Sequence, residues 1–310
     1  MSRKILFAAT GEIAVPTFKA LAKKGLISAV LTAPDKPGKR GKGLIPSPIK
    51  VAATELSIPI LQPEHLGKIA REEVLQFDCD TLLSFCYGKI FGPKFLALFE
   101  GNAYNIHPSL LPKYRGCAPI ESALLNGDKI SGITIQKLAL ECDSGEIVYT
   151  ETFDIKESDN AVTLSSSVSL QAALMAEKVF ENEGVLPSVP QSGKISFSPL
   201  IKKEDGYVDF NSPSQVIAGQ IKAYYPWPKV LCIYKDTELF LCSVSSYDEV
   251  KTEYEPGYVI SYDKKRGFQI ATGDGSIYID RLQLATKKEL DAASFKNGNS
   301  DFVSSLLKKK

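Results

Sequence analysis

Asn105 and His107 stand two residues apart at the end of Ala103–Ile106, a run that reads as a strand and stops at His107-Pro108. Side chains two apart on a strand point the same way, so this carboxamide and imidazole share a face. Asp143 lies in Glu141-Cys142-Asp143-Ser144-Gly145, a turn just after the strand-like run Gly132–Leu138. In an open parallel sheet ligands bind at the carboxyl ends of strands, where all three residues fall. An amide and an imidazole can donate hydrogen bonds to an oxygen gaining negative charge, each such donor being typically worth about 10²–10³ in rate. A carboxylate can fix the imidazole tautomer and assist proton transfer, typically worth about 10²–10⁴. Spacing alone leaves structural readings open. Asn105 could bond a loop backbone, Asp143-Ser144-Gly145 could be an Asx turn, and His107 could be a satisfied structural histidine.

The elements that must position these residues alternate. Lys4–Ala9 reads as a buried strand, Ala14–Lys24 as a helix closed by Gly25, and Ile27–Thr32 as a second strand. Strand, helix, strand in about thirty residues implies a right-handed unit with a parallel sheet. The alternation continues through a helix at Ile49–Leu56, strands at Ile58–Leu61 and Thr81–Phe85, and helices near Ala70–Gln76 and after Pro93. Helix Ala118–Asn126, strands Gly132–Leu138 and Ile147–Phe153, and a long helix at Asn160–Glu183 complete it. Gly184–Pro199 is rich in proline, serine and glycine, a linker signature. Beyond it short strands recur: Val230–Tyr234, Leu239–Ser243, Gly257–Tyr262, Gly267–Thr272 and Ser276–Gln283. Their spacing suggests a small β-barrel. The domains expected are residues 1–184, a linker at 185–203, and 204–310.

Ala33–Lys50 interrupts the first half with four prolines, three glycines and five basic side chains. Proline and glycine deny it a regular element, and loops of this length within compact domains are usually functional or disordered.

Composition excludes several classes. No apolar run approaches the roughly 20 residues of a membrane helix, so no membrane partner is expected. Met1–Thr10 lacks the pattern of a signal peptide, and the expected compartment is the cytoplasm. The 6 cysteines form no C-x-x-C pair and only 2 histidines exist, so no metal site is expected and the thiols read as buried and free. The net charge of +1 argues against a protein that coats nucleic acid, though not against one local basic patch.

The segment Tyr104-Asn105-Ile106-His107-Pro108-Ser109-Leu110-Leu111-Pro112-Lys113-Tyr114-Arg115-Gly116 resembles the signature of folate-dependent formyltransferases and hydrolases, N-x-H-P-S-L-L-P followed by R-G. Cys142-Asp143-Ser144-Gly145 resembles their aspartate loop. The resemblance implies a Rossmann-like α/β domain with a mostly parallel sheet, an OB-like C-terminal barrel, and Asn105, His107 and Asp143 as the catalytic trio. It implies 10-formyltetrahydrofolate as co-substrate, attacked by a neutral amine with no metal and no covalent enzyme intermediate. Phe85-Cys86-Tyr87-Gly88-Lys89-Ile90-Phe91 is similar to the family's pterin loop. Folate contacts are therefore expected from Phe85, Tyr87, Gly88 and Ile90, and from Ser109, Leu110, Leu111 and Pro112.

Pro34–Lys50 is similar to the P-D-x-P-x-x-R-G-K-x-L-x-P-S-P insertion of the members that formylate methionyl initiator tRNA. It implies tRNA contacts by Lys36, Lys39, Arg40 and Lys42, whose charges suit phosphates. Tyr224-Tyr225-Pro226-Trp227-Pro228 and Ala271-Thr272-Gly273-Asp274-Gly275 resemble motifs of the same members' second domain, where Trp227 and its prolines read equally as core or hinge. Glu204–Lys310 holds 14 basic and 15 acidic side chains, a balance of −1, so any tRNA-facing surface there is a local stripe. The activity so implied is formyl transfer to the free amino group of methionyl initiator tRNA, by a monomer. Other acceptors remain: a sugar-nucleotide amine, water in a hydrolase, or none in a non-catalytic RNA-binding protein. One departure is plain. Where the family reads G-T-P-x-F-A after its first strand, this chain has Ala9-Thr10-Gly11-Glu12-Ile13-Ala14.

Overall fold

The computed structural model describes residues 3–38, 43–181 and 186–310. The chain divides into two compact units.

The first unit comprises Met1–Gly116, Ser131–Phe153 and Ser165–Phe197. Its strands are β1 (Ile5–Ala9), β2 (Ile27–Leu31), β3 (Ile60–Leu61), β4 (Thr81–Phe85), β5 (Ala103–His107), β6 (Ile130–Lys137) and β7 (Ile147–Asp154), and they form a sheet in the order β7-β6-β5-β4-β1-β2-β3. The pairs β1–β2, β1–β4, β2–β3 and β4–β5 are parallel, whereas β5–β6 is antiparallel. The central strands β1 and β4 are buried at every position. This explains why they read as continuous apolar runs rather than alternating ones. On one face Leu6, Leu31 and Leu82 pack with Phe91, Phe95 and Phe99. Phe7 and Phe18 meet at 5.9 Å between ring centroids.

The antiparallel pairing of β5 with β6 matters most for chemistry. It sets Gln136 opposite Asn105 and Thr134 opposite His107. Directly opposed residues share a face, so one sheet face carries two polar pairs in register.

The proline-rich stretch departs from expectation. It contains a two-rung antiparallel ladder, Lys36 with Ile45 and Pro37 with Leu44, closed by the Gly38 N–H on the Gly43 carbonyl at 2.9 Å. Proline lacks a donor but not an acceptor, so so short a ladder tolerates Pro37. At its base Lys50 Nζ bonds Asp35 at 2.6 Å, and Gln62 Nε2 donates to Asp35 at 2.8 Å. These two contacts, Gln62 first, hold the Asp35 carboxyl below its ordinary pKa. Ser47 caps the following helix, Pro48–Glu55, by accepting from the Lys50 N–H. Lys36 is exposed; Lys39, Arg40 and Lys42 lie outside the described residues.

The second unit comprises Cys117–Ile130, Asp154–Leu164 and Ser198–Lys310. Helices at Pro119–Leu125 and Ser214–Ala223 pack within it, the latter unforeseen from sequence. At Gly219 a Cβ would come within 3.1 Å of the Leu124 carbonyl oxygen, so glycine permits that approach. The strands are β8 (Val230–Tyr234), β9 (Thr237–Asp248), β10 (Val259–Asp263), β11 (Gly267–Ala271), β12 (Ser276–Leu284) and β13 (Leu290–Asp291). They pair in the order β8-β9-β12-β11-β10, with β13 on β12. All these pairings are antiparallel.

Among the described residues the expected barrel is a ladder whose end strands β8 and β10 do not pair directly with each other. The C-terminal residues stand at both edges, as single bridges from Lys308 to Ile233 and from Leu306 to Tyr258. Phe268, Phe295 and Phe302 pack edge to face beneath the sheet. Trp227 is 58% exposed and so is not core. Among the described residues, no helix is long and apolar enough to cross a membrane.

Candidate active site

The structure brings Asn105, His107 and Asp143 together around one carboxylate. Asp143 Oδ2 lies 3.5 Å from His107 Nδ1, and Asn105 Nδ2 donates to Asp143 Oδ1 at 3.4 Å. Two further donors hold the carboxylate: Gln136 Nε2 on Oδ1 at 2.8 Å and the Gly116 N–H on Oδ2 at 2.9 Å. The Cys142 thiol adds a contact to Oδ2 at 3.4 Å. Asp143 sits at φ +49°, a left-handed conformation uncommon outside glycine. Gly145 lets the turn fold onto β6, because a Cβ there would overlap the Lys137 carbonyl.

His107 is 3% exposed. Its Nε2 donates to the Tyr114 carbonyl at 2.9 Å, which leaves Nδ1 on the Asp143 side. Burial pushes the imidazole pKa below its usual 6.5, against the opposing pulls of Asp143 and the Tyr114 carbonyl. The carboxylate favours the charged ring, but burial outweighs it. Between the folded-state pKa and 6.5 the unfolded chain binds more protons than the folded one. Stability from neutral His107 is therefore complete above about pH 6.5 and is lost as pH falls through the folded-state value. Thermal denaturation from about pH 7.5 down to about pH 5.5 checks this. Wild type should lose more stability over that range than His107→Asn, and equal losses would refute it.

The loop after β5 is a rigid shelf. Ser109 Oγ donates to the Lys113 carbonyl, and Thr134 Oγ1 donates to the Ser109 carbonyl at 2.7 Å while accepting from the Leu111 N–H at 3.3 Å. Leu110 packs over Gly132, where a Cβ would collide with it. Ser109, Leu111 and Pro112 are buried. At the end of β4 and in the loop after it, the side chains of Phe85 and Tyr87 are core, Tyr87 stacking on Phe91 at 5.4 Å. Of the sequence-expected folate contacts there, Ile90 alone presents a side chain, 85% exposed. Gly88 has open space where a Cβ would lie. Among the described residues Tyr87 Oη, which is buried, has no hydrogen-bond partner. The exposed Ile90 side chain and the open backbone at Gly88 suit the face and the hydrogen-bonding edge of a flat heterocycle.

The departure after β1 is knitted into the same region. Thr10 and Gly11 N–H groups donate to the Cys86 carbonyl at 3.1 and 3.4 Å, and Thr10 Oγ1 donates to the Tyr87 carbonyl at 3.0 Å. A Cβ at Gly11 would meet Cys86 Sγ at 3.2 Å. The expectation of buried thiols holds for Cys232 and Cys242. Cys79 is half-buried, and Cys86, Cys117 and Cys142 are exposed because they sit on loops. Among the described residues no three His, Cys, Asp or Glu side chains are placed to hold a metal.

Sequence reasoning did not single out Gln136, Tyr114 or Gln191. Gln136 was findable, since along β6 it alternates on the same face as its cross-strand partner Asn105. The role of the Tyr114 carbonyl depends on a left-handed backbone at φ +58°, which nothing in the residue type announces.

An amide, an imidazole and a carboxylate are gathered at the strand ends of the mostly parallel sheet of an α/β unit. The sequence pattern of formyl transferases matches residues 3–177, and that of the formyl transferase C-terminal domain matches residues 200–300. The chain belongs to the formyl transferase family. It is 36% identical over 303 residues to a methionyl-tRNA formyltransferase of Borrelia garinii, covering 97% of this chain and 96% of that one. It is 34% identical over 315 residues to the methionyl-tRNA formyltransferase of Treponema denticola, covering 97% and 98%. Among solved structures, HypX from Aquifex aeolicus in complex with tetrahydrofolic acid superposes with a TM-score of 0.64 at 16% identity, over 98% of this chain and 48% of that one. The sugar 3N-formyl transferase WlaRD superposes with a TM-score of 0.64 at 21% identity, over 93% and 100%. These structural likenesses speak for the fold alone.

Proposed function

We propose that this protein transfers the formyl group of 10-formyltetrahydrofolate to the free amino group of methionyl initiator tRNA, giving N-formylmethionyl-tRNA for translation initiation. The observation that carries the reading is full-length similarity at 34% identity and above to methionyl-tRNA formyltransferases. The convergence of Asn105 and His107 on the Asp143 carboxylate supports the assignment of these three as catalytic.

The chemistry follows from the protonation pattern. The amine nitrogen bonds to the formyl carbon and the carbonyl oxygen becomes an oxyanion. Asn105 Nδ2 donates to that oxyanion, relinquishing its long contact to Asp143. His107 exchanges protons through Nδ1, because Nε2 is committed to Tyr114. Neutral Nδ1 takes the proton the amine releases, and Asp143 stabilises the imidazolium so formed. The charged ring then donates to the oxyanion. As the bond to the folate nitrogen breaks, that nitrogen receives the proton.

Folate binding is assigned to Ser109–Pro112 as a shelf and to the backbone of Phe85–Ile90 with the Ile90 side chain. Contacts to tRNA are assigned to Lys36, Lys39, Arg40 and Lys42, and to the region 204–310 beyond the linker 185–203, with residues 1–184 as the catalytic domain. The protein acts in the cytoplasm as a monomer.

Purified protein with 10-formyltetrahydrofolate should formylate charged initiator tRNA and leave a UDP-linked amino sugar unmodified. Formylation of the sugar, or release of formate with the tRNA untouched, would overturn the acceptor assignment.

A further inference from the structure

Gln191 lies in the sequence after the helix Ala161–Phe180, 48 residues from Asp143. Its carboxamide nevertheless reaches both the Asp143 turn and Arg115. Nε2 donates to the carbonyls of Asp143 and Gly145, both at 2.8 Å, with Gln136 Oε1 a looser third neighbour at 3.3 Å. Oε1 accepts from Arg115 Nε at 3.1 Å and from Arg115 Nη2 at 2.7 Å. Arg115 is buried, and it directly follows Tyr114, whose carbonyl holds His107. The two Nε2 hydrogens thus meet the two backbone carbonyls of the turn, while Oε1 ties that turn to the loop that orients the imidazole.

The Asp143 backbone needs such a tie. A non-glycine residue at φ +49° persists only where its surroundings over-determine it. Displacing a catalytic group by about 1 Å can cost about 10²-fold in rate. We propose that Gln191 is a positioning residue for formyl transfer, clamping the Asp143 turn to the Tyr114-Arg115 loop so that the carboxylate keeps facing His107 Nδ1. The proposal rests on the role assigned to Asp143 above.

The test is a double-mutant cycle on the full chain. Gln191→Ala should lower kcat by about 10- to 100-fold with KM for both substrates changed less than about twofold. In an Asp143→Asn background the same change should cost nothing further, measured above the uncatalysed rate. Gln191→Met keeps the volume and removes all five contacts, and it should reproduce the kcat loss when assayed well below its own melting temperature. Wild-type kcat in Gln191→Met, a rise in KM at constant kcat, or the full loss repeated in the Asp143→Asn background would each overturn the proposal. Undiminished turnover of Asp143→Asn alone would instead strike the catalytic assignment, and the role of Gln191 with it.

Discussion

Asp143→Asn will lower kcat for formyl transfer by about 10²–10⁴-fold while KM for the folate stays within about twofold. The carboxylate meets both Asn105 and His107, and it faces the ring nitrogen that Tyr114 leaves free to exchange a proton. Asparagine keeps the shape of the side chain and its place above β6. It cannot stabilise an imidazolium formed in a site where burial already disfavours that charge. One oxygen remains to accept from Gly116 or Gln136, and the amide nitrogen faces the other donor, so part of the hydrogen-bonding is also lost. Initial rates across a range of folate concentrations at saturating tRNA separate the two parameters. A KM effect with kcat preserved would move Asp143 from chemistry to binding.

Gly145→Ala should be the most damaging single methyl group added near the centre. The new Cβ would overlap the Lys137 carbonyl oxygen and stand 2.7 Å from its carbon, and both are backbone atoms of β6 that cannot swing aside. The Gly145 carbonyl also accepts from Gln191, so the turn cannot shift without losing that bond. We expect a loss of about 3 kcal/mol or more of stability. That corresponds to a fall of about 6–12 °C in melting temperature. Activity should fall by more than about tenfold even well below the new midpoint, because the displaced turn carries Asp143. Thermal denaturation alongside initial rates reads both effects. A melting temperature within about 2 °C of wild type would show that the turn can open without cost.

Much of the first unit was legible because its physics is local or periodic. Buried parallel strands such as Ile5–Ala9 and Thr81–Phe85 announce themselves as apolar runs, and the two-residue repeat alone puts Asn105 and His107 on one face. The trio was legible as three residues but not as a geometry. Which ring nitrogen of His107 is free depends on the Tyr114 carbonyl, hence on a left-handed backbone that residue type does not disclose. Gln191 was invisible because a glutamine in a proline- and serine-rich segment carries no periodic signal, and its partners lie 46 to 76 residues away. The folate loop shows the reverse error. Tyr87 and Phe85 look like ligand-stacking aromatics in sequence, yet the core takes their rings. In the second unit the strands were readable one by one. The ladder was not, because single bridges from Leu306 and Lys308 leave no pattern in a tail of serine, leucine and lysine.

Single-turnover transfer from labelled 10-formyltetrahydrofolate to charged initiator tRNA, with enzyme in excess over tRNA, isolates the chemical step from binding and release. Wild type should transfer the label at least about 10²-fold faster than Asp143→Asn, with tRNA bound equally by both. Equal single-turnover rates in the two proteins would contradict the account.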